Sequence, residues 1–209
     1  MPGNHANKYK ISNKLSESGL VQEIRSTSAS FVFIADFTLR THNARGVEVH
    51  EAAIPDSPDG PMKPMDGFLI HNENNILFNV GVYSDGAFMN VRGEVVKHPE
   101  GVFFPDRNND QCWLASIEIK DCAPDNITNF NAEIKKKFIN NRTELLRRGV
   151  ASESNVFYGI ASFPRARLDF DDTIFNDQFV QLDFIRDNRV ILFAANTVAI
   201  FEDTVAPIF

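Results

Sequence analysis

The sequence predicts an α/β (α+β) fold, a central mixed β-sheet flanked by helices. Short apolar runs rich in β-branched and aromatic residues, each bounded by turn signals, recur from residue 30 onward. One long amphipathic helix is written by Ile127, Phe130, Ile134, Phe138 and Leu145, which recur at steps of three, four or seven. That helix separates two apolar runs, Ile117–Lys120 and Val156–Phe163, and the crossover is long enough to lay them parallel.

The elements follow in chain order. Residues 6–24 carry sparse apolar points, Leu15, Leu20, Val21 and Ile24, which predict a short amphipathic helix interrupted near Ser18-Gly19. Ser30–Leu39 is a strand, and Val47–Ile54 a strand or helical turn. Pro55–Pro64, with four prolines and Gly60, is a loop. Gly67–Ile70 and Ile76–Val80 flank the turn residues 71–75 and predict a hairpin. Ser84-Asp85-Gly86 turns the chain, and Ala87–Val96 offers one or two further strands. Val102–Pro105 and Cys112–Lys120 are strands joined through a polar break. Pro124-Asp125-Asn126 opens the long helix, and Arg147-Arg148-Gly149 closes it with positive charge and a stop glycine. A helix is expected at Phe175–Arg186, then a hairpin of Val190–Ala194 against Thr197–Phe201 turned at Ala195-Asn196.

At 209 residues the chain is long enough for one domain with a sizeable core, residues 1–60 forming an N-terminal extension to it. A hydrophobic fraction of 43% with 23% charged residues is globular rather than disordered. The net charge of -7 excludes a chain-wide basic surface, so any nucleic acid must be met by a local patch, a bound metal or a partner. The polar start, Met1–Lys10, lacks the apolar run of a signal peptide, and no stretch of about 18 apolar residues is present. A cytoplasmic protein without a membrane partner is expected. Cys112 and Cys122 bracket one strand, roughly 33 Å apart if extended, so they do not bridge. The five histidines lack paired ligand spacing.

Chemistry concentrates at Val102–Cys122. Side chains alternate along a strand, so Trp113, Ala115, Ile117 and Ile119 share one face and Ser116, Glu118 and Lys120 the other. Mg²⁺ (or Mn²⁺) takes oxygen ligands, often one or two carboxylates plus substrate phosphate. Asp106 and Glu118 supply those carboxylates if their segments pair with a broad turn centred near Cys112. With a tight turn at Asn108–Asp110, Asp106 pairs near Gln111 and lies too far away. Lys120, two residues from Glu118 on the same face, would orient the attacking water and offset charge developing at phosphorus.

Pro105-Asp106, eleven intervening residues and Glu118-Ile119-Lys120 resemble the signature of the PD-(D/E)XK, restriction-endonuclease-like nuclease superfamily. The resemblance covers residues 102–164 and would make residues 66–164 the nuclease-like core. It implies a helix, three strands, a helix and a strand, and metal-dependent hydrolysis of phosphodiester bonds by an endonuclease. It further implies metal ligation by Asp106, Glu118 and Ile119, with Asp106, Glu118 and Lys120 catalytic. DNA is implied ahead of RNA, with a homodimer or a partner subunit and a role as an effector in prokaryotic antiviral defence. The family's upstream acid would fall to Glu51, Glu48 or Glu23, and Asp66 is an alternative metal carboxylate.

The helix after Lys120 carries Lys135, Lys136, Lys137, Arg142, Arg147 and Arg148. Of these, Lys135, Lys137 and Arg142 are the candidate phosphate contacts, and Glu133 is a further candidate beside them. A solvated helix face with favourable C-terminal charge is the plainer reading of the same residues. Asp169, Asp171 and Asp172 suit turn and capping chemistry better than a metal loop. Two functions compete on this sequence: the metal-dependent nuclease, and a non-catalytic β-rich interaction subunit in which Glu118 and Lys120 are an ordinary surface pair. A nuclease fold used only for nucleic-acid binding is the third.

Overall fold

The computed structural model describes residues 10–37, 46–51, 67–107, 112–120, 122, 124–164, 175 and 177–208. Its mixed α/β architecture stacks two sheets against each other and lays helices on the outer face of the larger one. The larger sheet has six strands in the order β1(Val21–Thr27), β5(Phe78–Tyr83), β6(Gly101–Pro105), β7(Trp113–Ile119), β8(Val156–Ser162) and β9(Val190–Ala194). The smaller has five, ordered β11(Val205–Pro207), β10(Thr197–Ile200), β4(Phe68–His71), β2(Phe31–Asp36) and β3(Val47–His50). Strands β1, β5, β6 and β7 pair antiparallel in that succession, whereas β8 runs parallel to both β7 and β9. The crossover between β7 and β8 is a 3-10 helix, Pro124–Phe130, followed by α2(Asn131–Arg147), so the expected parallel pair forms. The expected C-terminal helix is α3(Gln178–Asn188), its N-terminus capped by the Asp177 carboxylate, which accepts from the amides of Phe179 and Val180.

The expected short N-terminal helix is α1(Ile11–Glu17), and it stops near Ser18-Gly19 because Gly19 turns in the left-handed region at φ 70; the chain then continues as strand β1 from Val21. Three other expectations are corrected. The predicted hairpin around residues 71–75 does not form: β4 belongs to the smaller sheet and β5 to the larger. Fully buried Asn72 makes that transfer, its amide donating to the carbonyls of Ala29 and Ile76 and its oxygen accepting from the Ile76 amide. Nor do β9 and β10 pair; they too lie in different sheets, with Asn196 at the crossing. The Asn196 oxygen accepts from the Ser162 hydroxyl and the Phe163 amide, and its Nδ2 donates to the Phe163 carbonyl. Ala87–Val96 forms only an isolated bridge, Met89 to Val95. Residues 55–64 and 165–174, with the loop prolines and the acids Asp169, Asp171 and Asp172, lie outside the described residues.

The two faces of β7 meet different layers. On one, Phe103 packs against Trp113 at 5.8 Å between ring centroids and against Phe68 of the smaller sheet at 5.9 Å. A Cβ placed on Gly101 would lie 3.2 Å from Ile117 and 3.6 Å from Ile34 of the smaller sheet, so the two sheets meet there at close range. On the other face lies α2, whose Phe138 ring sits on Gly159 so tightly that a Cβ there would come within 2.7 Å. Ser116, level with Gly159, accepts from the Asn141 side chain at 2.6 Å. All seven residues of β7 are consequently buried, Glu118 included. The polar face is roofed by a helix.

Candidate functional site

The register of β6 and β7 decides which acid meets Glu118. Gly101 is level with Ile117, and the Glu100 amide donates to the Ile117 carbonyl at 2.8 Å. Glu100 thus stands at the edge of β6 beside the Ile117–Glu118 end of β7, and its carboxylate and that of Glu118 both lie within reach of the Lys137 ammonium, at 3.8 and 2.6 Å. Asp106 lies six residues along the chain from Glu100, on the order of 20 Å at the rise of an extended strand. The structure therefore does not bring Asp106 and Glu118 into one metal site, which is a correction to the sequence expectation. The broad turn centred near Cys112 is not adopted.

Asp106 has work of another kind. Its carboxylate accepts from the Lys10 ammonium at 3.3 Å and from Asn79 Nδ2 at 3.3 Å, and Asn79 in turn accepts from the Ser26 hydroxyl. The next residue, Arg107, pairs with Glu202 and Asp203 beyond β10. This end of the hairpin is a clamp holding the chain's first helix and the smaller sheet.

At the Glu118 end, α2 and β7 gather a charge network. Glu118 is fully buried, and its Oε1 accepts from Lys137 Nζ at 2.6 Å while lying 3.0 Å from Lys120 Nζ. Lys137 Nζ also stands 3.8 Å from Glu100, so one ammonium bridges the two carboxylates. Lys120 reaches Glu133 at 3.8 Å, and Glu133 accepts from Lys97 at 2.9 Å. Glu118 Oε2 is buried and has no hydrogen-bond partner among the described residues. Burial pushes the Glu100 carboxyl up to about 8, with repulsion from Glu118 adding to the rise and Lys137 opposing it. For Lys120, burial alone would lower the ammonium pKa; Glu118, with Glu100 and Glu133, outweighs it and holds it above its ordinary value. The Lys97 hydrogen bond holds the Glu133 carboxyl below its own.

This network forms the floor of an open cleft of about 390 Å³ lined by Asp85, His98, Glu100, Lys120, Glu133 and Lys137 among others. His98 Nδ1 lies 2.7 Å from the Pro99 carbonyl, an acceptor, so Nδ1 carries the proton and donates. Its ring is stacked on Phe88 at 4.5 Å.

The other predicted positions divide. Ile119 is buried in β7, level with Ser162 of β8. Glu133 is at the cleft, as is Lys137, although Lys137 is turned inward on the carboxylates. Lys135 lies over the Phe184 ring of α3, and Arg142 lies over Phe157 and pairs with Glu153, so neither faces the cleft. Glu51 is exposed at the end of β3, Glu48 sits 3.1 Å from His50, and Glu23 is a strand-surface partner of Arg25. Asp66 lies outside the described residues. Cys112 is buried just ahead of β7, and Cys122 is half-buried beyond its end. Glu100, Lys97 and His98 were missed by sequence reasoning. The available signal was Glu100 immediately before the β6 apolar run, the mirror of Glu118 immediately before the end of β7.

Among the described residues no group of three or more His, Cys, Asp or Glu side chains is arranged to hold a metal ion. A divalent ion here would therefore rest on the Glu100–Glu118 pair and on water or substrate oxygens, which is the mode Mg²⁺ prefers. The pair fits such an ion in two respects. Among the described residues Glu118 Oε2 is a buried acceptor without a donor, and the Glu118 charge disfavours ionisation of Glu100, which a divalent ion between them would favour. No helix among the described residues is long and apolar enough to cross a membrane. No family model, curated protein or solved structure matches this chain.

Proposed function

We propose that the protein is a metal-dependent nuclease that hydrolyses phosphodiester bonds, DNA ahead of RNA, with Glu100 rather than Asp106 as the partner of Glu118. The observation that carries this reading is the gathering of Glu100 and buried Glu118 beside Lys120, with Glu100 and Lys120 lining an open cleft. It is supported by the order of elements around the site: three antiparallel strands, a helix, then a strand parallel to the third. That is the later part of the order implied by the resemblance of Pro105-Asp106 and Glu118-Ile119-Lys120 to the PD-(D/E)XK nucleases; directly ahead of β5 stands strand β4 and not the helix with which that order begins.

In this reading Glu118 and Glu100 would hold Mg²⁺ or Mn²⁺, which would supply Lewis-acid stabilisation of charge at phosphorus and ease ionisation of the attacking water. Lys120, kept protonated by the surrounding carboxylates, donates to the attacking water or to a non-bridging phosphate oxygen. Lys137 fixes the Glu118 carboxylate from the helix side. Water adds to phosphorus, one ester P–O bond breaks, and the released oxygen leaves with a proton.

Cleavage of circular and linear DNA and of RNA, with Mg²⁺, Mn²⁺ or chelator, tests the reading. Glu118→Gln, Glu100→Gln and Lys120→Ala are each expected to cut at least about 100-fold more slowly than wild type, the scale of losing a transition-state contact. Asp106→Asn is expected to keep wild-type cutting. Full cutting by Glu118→Gln would overturn the mechanism. The second reading, a β-rich interaction subunit, has its own observation: the Lys137 ammonium already bridges Glu100 and Glu118, so the protein carries its own cation. A folded wild type that cuts nothing with either metal would favour it.

A further inference from the structure

The cleft does not end at the carboxylates. A second cavity of about 260 Å³, lined by Val95, Val96, Lys97, Glu133, Lys136 and Asn140, shares four of these residues with the first: Val95, Val96, Lys97 and Glu133. The two are therefore one trough. One wall is the 87–97 excursion, a narrow ribbon in which the Val96 amide donates to Phe88 and the Asn90 amide to Glu94. The other is α2, where Glu133, Lys136, Lys137 and Asn140 share a stripe at i, i+3, i+4 and i+7. Asn140 Nδ2 and the Lys97–Glu133 pair fasten the ribbon to the helix.

The trough has a polar and an apolar side. Lys97 and Glu133 neutralise each other, whereas exposed Lys136 has no ion-pair partner among the described residues and leaves one unbalanced positive charge. Opposite it, Val95 is 63% exposed beside half-buried Val96. An anion at regular intervals with a flat apolar group between is the chemistry of a polynucleotide strand. Each cavity is near or below the lower end of the roughly 300–1,000 Å³ of small-molecule sites. That is the scale of one nucleotide unit at a time.

We propose that this trough binds a single polynucleotide strand, with a backbone phosphate at Lys136 and a base or sugar against Val95 and Val96, leading it to Glu100, Glu118 and Lys120. The inference rests on the nuclease reading for the direction of the strand and deepens it by assigning single-stranded substrate.

Fluorescence anisotropy on the full chain in chelator, where nothing is cut, tests it with labelled dT and rU oligomers of about 12 nucleotides and a duplex of the same length. Either single strand is expected to bind at least about tenfold more tightly than the duplex, the dT and rU arms separating DNA from RNA. Lys136→Glu is expected to weaken it about tenfold and to reduce the slope of log K on log salt by about 0.7 or more. Val95→Asp is expected to weaken binding as well, and Arg186→Glu, on the exposed side of α3, to leave it unchanged. Equal duplex affinity, unchanged binding by Lys136→Glu, or no saturable binding of either single strand would each overturn the proposal. Cleavage lost in Glu118→Gln without any strand preference would reject the trough and keep the nuclease. Lys136-dependent strand binding without any cleavage would do the reverse.

Discussion

Glu100 is the residue whose chemistry depends most on its neighbours. Its carboxyl, ordinarily at 4.5, is pushed up to about 8 by burial and by Glu118 across the strand pair. The folded state therefore holds a proton that the unfolded state has released between those two values. Native protein binds more protons there, so stability falls as pH rises through this window, by at most about 1.4 kcal/mol per pH unit. The thermal midpoint is expected to drop from pH 5 to pH 8, and Glu100→Gln is expected to flatten the profile and raise the midpoint at the alkaline end. An unchanged slope in Glu100→Gln would place the titrating group elsewhere. At this scale the sequence revealed half of the site. Strand alternation placed Glu118 and Lys120 together, and they are 3.0 Å apart. It also put Ser116 on their face, where α2 covers it. Alternation says nothing about the partner strand, so a Pro-Asp dipeptide drew attention that belonged to a glutamate six residues earlier.

Two asparagines do at the scale of elements what turn propensity alone does not reveal. Asn72 and Asn196 each stand between two apolar runs that look like the arms of a hairpin, and each instead hands the chain from one sheet to the other. The reason is hydrogen-bond satisfaction. A chain leaving a sheet carries backbone groups that have lost their ladder partners, and an asparagine side chain supplies one acceptor and two donors to them. Asn196 replaces the missing ladder at Phe163 on both its amide and its carbonyl. Asn196→Ala is expected to cost on the order of 2 kcal/mol, because it strands those backbone groups in a partly buried place. Asn196→Asp, which keeps the acceptor and loses the donor, is expected to fall between. Urea midpoints measure both, and a loss well below 1 kcal/mol for the alanine variant would show that water replaces the side chain. By contrast α2 and the β7–β8 parallel pair were legible in advance. A buried stripe and a crossover length are local properties of the chain.

At the scale of the molecule, the larger hydrophobic cluster joins both sheets and the helices, and a small second cluster of Phe33, Ala35 and Phe37 lies on the smaller sheet. The single tryptophan reports on that joint, since Trp113 of the larger sheet packs on Phe103 while its Nε1 donates to the Phe201 carbonyl just beyond β10 of the smaller. Unfolding in urea followed by tryptophan fluorescence and by far-UV circular dichroism is expected to trace coincident transitions. Two separated transitions would mean that the sheets come apart before they unfold.

By itself the sequence determined the mixed α/β class, the long basic helix, the parallel crossover, and the Glu118–Lys120 pair. Each rests on periodicity or composition within a short window. Only the tertiary structure decided the strand pairing that brings Glu100 beside Glu118, the separation of apparent hairpins into two sheets, and the trough that exposes Lys136 while burying Lys137. Those depend on contacts between residues far apart in the chain. Side-chain alternation within one strand is the same whichever strand lies beside it.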